Sequence, residues 1–145
     1  PDPSKIALLE MLQQNEWQIC VCSNAVRRSV TEMLLAGGLM RYVAFYLSNQ
    51  DTLPKPAPDM YLKAASLFGI LPKRLVVVED SPPGKRAALA AGCCLVEVDG
   101  PDEVGTELYW RIVTAAETID QEEQTCRETL ECSSSAGSAK PSCGS

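Results

Sequence analysis

Leu75-Val76-Val77-Val78-Glu79-Asp80 constrains the fold more than any other stretch of this sequence. A short run of branched apolar residues that ends in two acids reads as a strand buried on both faces, as in a parallel sheet. Parallel strands need crossover helices between them, and the flanking segments supply helical patterns. The expected fold class is therefore α/β, with a mainly parallel sheet.

The rest of the chain alternates in the same way. Asp2 is placed to cap a helix with Pro3 at its first position, and Ile6, Leu9 and Leu12 share one face. Asn15 reads as its left-handed stop. Trp17 to Cys22 reads as a strand, Ala25 to Ala36 as a helix stopped by Gly37-Gly38, and Tyr42 to Leu47 as a second strand. Pro58 opens a helix over Asp59 to Phe68 that Gly69 closes. Ala87 to Ala91 reads as helix and Cys94 to Val98 as a fourth strand. Residues 103–120 are compatible with one helix, or with a short strand at Arg111-Ile112-Val113 and a helix. From Gln121 the chain is acidic and then serine-rich, with six serines in its last thirteen residues. That composition predicts a core domain over 1–120 and a disordered tail over 121–145.

Composition narrows function. The 145 residues carry a net charge of -6 and no histidine. An acidic chain without a basic face argues against nucleic-acid binding. No apolar run is long enough to span a bilayer. The missing histidine removes Ser-His-Asp and Cys-His catalysis. The seven cysteines show no paired C-x-x-C metal spacing. They read as reduced thiols, several of them small buried apolar residues, in a cytoplasmic setting. The chain begins at Pro1 rather than Met, so a targeting signal further upstream stays open.

In open parallel sheets, ligands gather beyond the C-terminal strand ends. Ser23-Asn24 follows the first strand, Lys55 the second and Glu79-Asp80 the third. Each has a plain structural reading: a helix cap for Ser23, a solvated lysine for Lys55, a turn for the acids. Together they suit phosphoryl chemistry. Paired carboxylates suit Mg²⁺, a lysine offers a point charge, and a hydroxyl takes a further oxygen.

These residues also carry a family resemblance over residues 5 to 120. Val21-Cys22-Ser23-Asn24 resembles the second motif of the haloacid dehalogenase superfamily of hydrolases, in its β-phosphoglucomutase-like phosphatase branch. Lys55-Pro56-Ala57-Pro58-Asp59-Met60-Tyr61 resembles the third. Val76 to Ser81 with Gly84, Ala87, Ala88, Ala91 and Gly92 resembles the fourth. The resemblance implies a Rossmann-like sheet with flanking helices. It implies that Ser23, with Asn24 beside it, binds the phosphoryl group and that Lys55 is catalytic and phosphate-binding. It implies that Glu79 and Asp80 hold Mg²⁺, and that the substrate is a small phosphorylated metabolite. Lys85 departs from the pattern, where the family has an apolar residue, and unsettles the start of that helix.

The larger departure is the first motif. No Asp-x-Asp occurs in the chain, so the family's nucleophile, its central first strand and its helical cap are not represented. The resemblance implies an incomplete sheet in which two strand pairs face a gap. Unpaired buried backbone is costly. The expectation is an unstable chain, or closure of the gap by direct pairing of the strands at its sides. Two readings follow: a phosphatase or phosphomutase-like enzyme whose nucleophile lies on a further N-terminal segment, or a non-catalytic binding or regulatory module of the same fold. A phospho-acceptor receiver domain places similar residues in a different order.

Overall fold

Asp2 caps α1 (Pro3–Gln14) as its position predicts, its carboxylate accepting from the Ser4 N–H at 3.0 Å. The computed structural model describes residues 1–135. After α1 come β1 (Cys20–Cys22), α2 (Arg27–Ala36), β2 (Phe45–Leu47) and α3 (Asp59–Phe68). Then follow β3 (Val76–Glu79), α4 (Pro82–Ala91), β4 (Cys94–Glu97) and α5 (Thr106–Ser135). The alternation is the expected α/β order, and all strand pairing is parallel.

Helix ends follow local chemistry. Gly69 and Gly92 close α3 and α4 in the left-handed conformation, at φ 69° and 74°. At α1 the left-handed turn falls on Glu16, not on Asn15, whose side chain instead donates to the Met11 carbonyl at 2.8 Å. The fourth helix starts five residues before the Ala-rich run. Pro82 and Pro83 occupy first-turn positions where no N–H is needed, and Ser81 caps them by accepting from the Gly84 N–H. Lys85 sits in this helix without distortion, its ammonium 3.9 Å from Glu97.

Residues 103–120 resolve as helix, because α5 runs unbroken from Thr106 to Ser135. It crosses 121–135, which composition assigned to the tail. Gln and Glu at 121–124 are good helix formers, and Glu123 is fixed by Lys73 and Arg74, with Asp120 also on Arg74. Residues 136–145, with Cys143, lie outside the described residues.

Two apolar clusters cover the two faces of the strands. One joins Leu47 and Val77 to Met60, Tyr61, Ala64 and Ala65 of α3 and to Ala87, Ala88 and Ala91 of α4. The other joins Val96 and Val98 to Leu8 and Leu12 of α1 and to Leu108 and Ile112 of α5. Cys20, Cys22 and Cys93 pack as small apolar residues in or against the first cluster.

The sheet is split. Among the described residues β1 pairs only with β2, and β3 only with β4. The expected closure of the gap by a β1–β3 pairing does not occur among the described residues. An open slot of about 340 Å³ lies between β1 and β3. Leu8, Leu12, Leu108 and Ile112 wall it on one side, and Tyr61 and Phe68 border it on the other. Helices that pack on both faces prop the two pairs apart.

Candidate active site at the C-terminal strand ends

β1 and β3 end at the same edge of the molecule because Lys55 ties their ends together. Its Nζ donates to the Cys22 carbonyl at 3.2 Å and forms an ion pair with Oε1 of Glu79. The loop that carries Lys55 is pinned by Asn24. The Asn24 amide accepts from the Lys55 N–H at 2.8 Å and donates to the Lys55 carbonyl at 2.9 Å. Ser23 follows β1 directly and is half-buried, its Oγ accepting from the Ala25 N–H at 3.2 Å. The sequence-derived residues Ser23, Asn24, Lys55, Glu79 and Asp80 thus belong to one strand-end region, reached from three loops.

Glu79 is the hub of this region and is itself buried. Tyr61 donates its hydroxyl to Oε1 at 2.7 Å. Ser81 donates its hydroxyl to Oε2 at 3.0 Å and its N–H at 3.3 Å. Burial pushes the Glu79 carboxyl up, but the hydrogen bonds of Lys55 and Tyr61, the Lys55 charge and the Ser81 hydroxyl outweigh it. The carboxyl lies below its ordinary value. Burial and the adjoining carboxylate push the Tyr61 hydroxyl up, so it stays a proton donor to Glu79. Asp80 is different: its side chain is exposed and has no hydrogen bond or ion pair among the described residues.

Sequence reasoning missed two residues that build the site. Tyr61 holds Glu79 from α3, one helical turn inside Pro58. Gly84, in the first turn of α4, leaves the room that the Glu79 carboxylate fills; a Cβ there would overlap it. Both lie inside the motifs already quoted, but their job depends on a contact between elements.

Among the described residues no group of three or more acidic, cysteine or histidine side chains could enclose a metal. Mg²⁺ needs less, since it keeps several waters and takes one or two carboxylates plus phosphate oxygens. The exposed Asp80 carboxylate at a strand end fits that demand.

Comparison with known proteins agrees with this geometry. Residues 1–92 match the haloacid dehalogenase-like hydrolase family. Hexitol phosphatase A of Escherichia coli (strain K12) is 38% identical over 101 residues, covering 68% of this chain and 46% of that protein. A phosphoglycolate phosphatase of Thiobacillus denitrificans is 40% identical over 76 residues, 51% of this chain and 33% of that one. Among solved structures, a HAD-superfamily hydrolase of subfamily IA from Geobacter sulfurreducens superposes with a TM-score of 0.61. Its identity is 29%, over 66% of this chain and 49% of the other. A HAD family hydrolase from Deinococcus radiodurans, solved with bound phosphate and sodium, gives 0.62 at 30% identity, over 73% and 49%. The chain thus spans less than half the length of each of these four. Matched by the family over most of its length, and folded as an α/β unit with those motifs at one strand edge, the chain belongs to the haloacid dehalogenase-like hydrolases.

Proposed function

We propose that this chain supplies the phosphate-handling and metal-holding part of a Mg²⁺-dependent hydrolase that transfers the phosphoryl group of a small phosphorylated metabolite to water. The observation that carries the reading is the fixed Lys55 ammonium. It is held by the Cys22 carbonyl, Glu79 and the Asn24 clamp, with the Ser23 hydroxyl and the exposed Asp80 carboxylate at the same strand ends. Relatives named as phosphatases of hexitol phosphates and phosphoglycolate support the substrate class.

In this reading Ser23 donates its hydroxyl to a phosphoryl oxygen. Lys55 offers a positive charge to the oxygens that gain charge in the transition state, already oriented before substrate arrives. Asn24 acts through Lys55 by fixing its backbone. Asp80 and Glu79 would hold Mg²⁺, and Glu79 also keeps Lys55 in place. Mg²⁺, when bound, neutralises charge on the phosphoryl oxygens. The attacking carboxylate comes from a further segment, since no Asp-x-Asp is present. A cytoplasmic setting belongs to the same reading, with Cys20, Cys22 and Cys93 serving as core thiols.

The same missing motif favours the second reading, a non-catalytic module. Hydrolysis of p-nitrophenyl phosphate with Mg²⁺ separates the two. The chain alone is expected to give no turnover, and the chain joined to a strand that ends in Asp-x-Asp is expected to give turnover. Failure of the joined protein, correctly folded, establishes the second reading. Turnover by the chain alone that vanishes in Asp80→Asn overturns the assignment of the nucleophile to another segment.

A further inference from the structure

Cys20 and Cys22 stand two residues apart on β1, and side chains along a strand alternate between its faces, so both thiols lie on one face. Both are half-buried and pack against the cluster that holds Met60 and Tyr61. The Cys22 thiol donates a hydrogen bond to the Cys20 sulfur, so the two sulfurs are already neighbours. That bond holds the Cys20 thiol below its ordinary value against the opposing effect of burial. The same donation, with burial, pushes the Cys22 thiol up. The thiolate is the form that attacks an oxidant, so Cys20 is the better nucleophile of the two. Cys93 and Cys94 differ: burial and the neighbouring thiol push Cys93 up to about 11, and burial and Glu122 push Cys94 up.

The pair also sits where a change of backbone is felt. The Cys22 carbonyl accepts from the Lys55 ammonium at 3.2 Å, and Ser23, the next residue, donates its N–H to the Leu47 carbonyl at 3.0 Å. Two strand residues at about 3.3 Å each put the Cα atoms about 6.6 Å apart. A disulfide spans about 4.4–6.8 Å, so a bond between these thiols lies near the upper end and draws the strand in. Strained disulfides are the readily reduced ones, and in a reducing compartment they are transient.

We propose that Cys20 and Cys22 form a reversible disulfide when the chain meets a peroxide, and that closing it displaces the end of β1 that anchors Lys55. The Cys20 sulfur attacks one peroxide oxygen, the O–O bond breaks, and the departing hydroxide takes up the Cys20 proton as water. Cys20 is then a sulfenic acid. The Cys22 sulfur attacks the Cys20 sulfur, the S–S bond forms as the S–O bond breaks, and the Cys22 proton leaves with that hydroxide as a second water. Two thiols are oxidised by two electrons, and one hydrogen peroxide is reduced to two waters. The inference concerns thiols and backbone, so it stands or falls apart from the phosphatase reading.

The test treats the whole, fully reduced chain with hydrogen peroxide, blocks the remaining thiols with N-ethylmaleimide and maps tryptic peptides by mass. Residues 6–27 form one such peptide, with Cys20 and Cys22 as its two cysteines. It is expected to lose two hydrogens at least tenfold faster than Cys93, Cys94 or Cys126 is oxidised, and to regain both thiols in millimolar glutathione. The amide NMR signals of Ser23 and Lys55 are expected to move on oxidation and to return on reduction. Cys22→Ser is expected to stop at a sulfenic acid on Cys20 that dimedone traps. Cys20→Ser is expected to slow oxidation of the remaining thiol at least tenfold. The peptide map needs no variant, so it decides the matter even where a serine variant fails to fold. Oxidation of the pair no faster than of Cys126, a bond to another peptide in place of the internal one, or a disulfide that glutathione leaves intact overturns the proposal. Unmoved Ser23 and Lys55 signals in the oxidised chain overturn the link to the strand end.

Discussion

Lys55 and Glu79 form an ion pair across the mouth of the slot, their side chains 9% and 8% exposed, and so join the β1–β2 pair to the β3–β4 pair. Removing one partner of a buried pair leaves an uncompensated charge, at a cost of about 3 kcal/mol. Glu79→Gln keeps acceptors for Tyr61 and Ser81 but strands Lys55, and is expected to lose about that amount. The double variant Lys55→Met, Glu79→Gln is expected to recover at least half of the loss. Urea unfolding followed by circular dichroism measures both, and a double variant no better than the single one contradicts the pairing argument.

The same pair sets an acid limit on stability. The folded Glu79 carboxyl lies below its ordinary value of 4.5, because Lys55, Tyr61 and Ser81 outweigh burial. Its contribution is therefore complete above that value and is lost as pH falls through the lower folded one. Asp51 behaves likewise: the Ser48 N–H and hydroxyl and the Arg27 charge hold its carboxyl below 3.8. Urea midpoints are expected to be level at neutral pH and to fall below about pH 4.5. Glu79→Gln is expected to make that fall shallower while leaving the Asp51 part. An unchanged slope in the variant removes Glu79 from the acid transition.

Gly84 tests how tightly Glu79 is seated. On helix propensity alone, Gly84→Ala stabilises a helix by about 0.8–1 kcal/mol. Here the new methyl meets the Glu79 carboxylate. Overpacking of this kind costs about 1–3 kcal/mol, so the net effect is expected to be destabilising. Adding Glu79→Ala removes the clash, and Gly84→Ala is then expected to stabilise relative to Glu79→Ala alone. A stabilising Gly84→Ala in the otherwise unaltered chain shows that the carboxylate can move aside.

What the sequence made legible was local or periodic. The bounds of α3 rest on Pro58 and Gly69, and the parallel strands on the apolar runs at 45–47, 76–78 and 94–96. The collection of Ser23, Lys55 and Asp80 at one edge follows from parallel strand geometry. What stayed hidden depends on contacts between elements. Pro82-Pro83 look like breakers until Ser81 is seen to cap the turn they begin. The reach of α5 past Gln121 depends on Lys73 and Arg74, about fifty residues earlier. The gap follows from the missing first motif, but that the strands at its sides would not pair depends on α1, α3 and α5, which hold its walls. Tyr61 and Gly84 became site residues only once Glu79 was found beside them.

Thiol chemistry gives an independent check on packing. Burial, with the Cys94 thiol adjoining, pushes Cys93 up to about 11, and it lies in the core. Cys126 is exposed on α5. The thiolate is the reacting form, so burial and a raised value both slow Cys93. Iodoacetamide labelling at mildly alkaline pH, read by peptide mass spectrometry, is expected to modify Cys126 at least tenfold faster than Cys93. Equal rates mean that the α4–β4 corner opens readily.

Asp80 separates a role in chemistry from a role in folding. Lys55 cannot do so by itself, because Lys55→Ala removes both the strand-end tie and the charge offered to phosphate. Asp80 is exposed and has no hydrogen bond or ion pair among the described residues, so Asp80→Asn is expected to change unfolding free energy by less than about 0.5 kcal/mol. In the protein completed by an Asp-x-Asp strand, both Lys55→Ala and Asp80→Asn are expected to cost at least about 2.7 kcal/mol of barrier, roughly a hundredfold in kcat. Only Asp80→Asn is expected to do so at unchanged stability, and it should also raise the Mg²⁺ concentration needed for half-maximal rate. A hundredfold loss that excess Mg²⁺ partly restores assigns Asp80 to the metal. A loss below tenfold, with the midpoint for Mg²⁺ unmoved, removes Asp80 from the site and leaves Lys55 as an anchor of the two half-sheets.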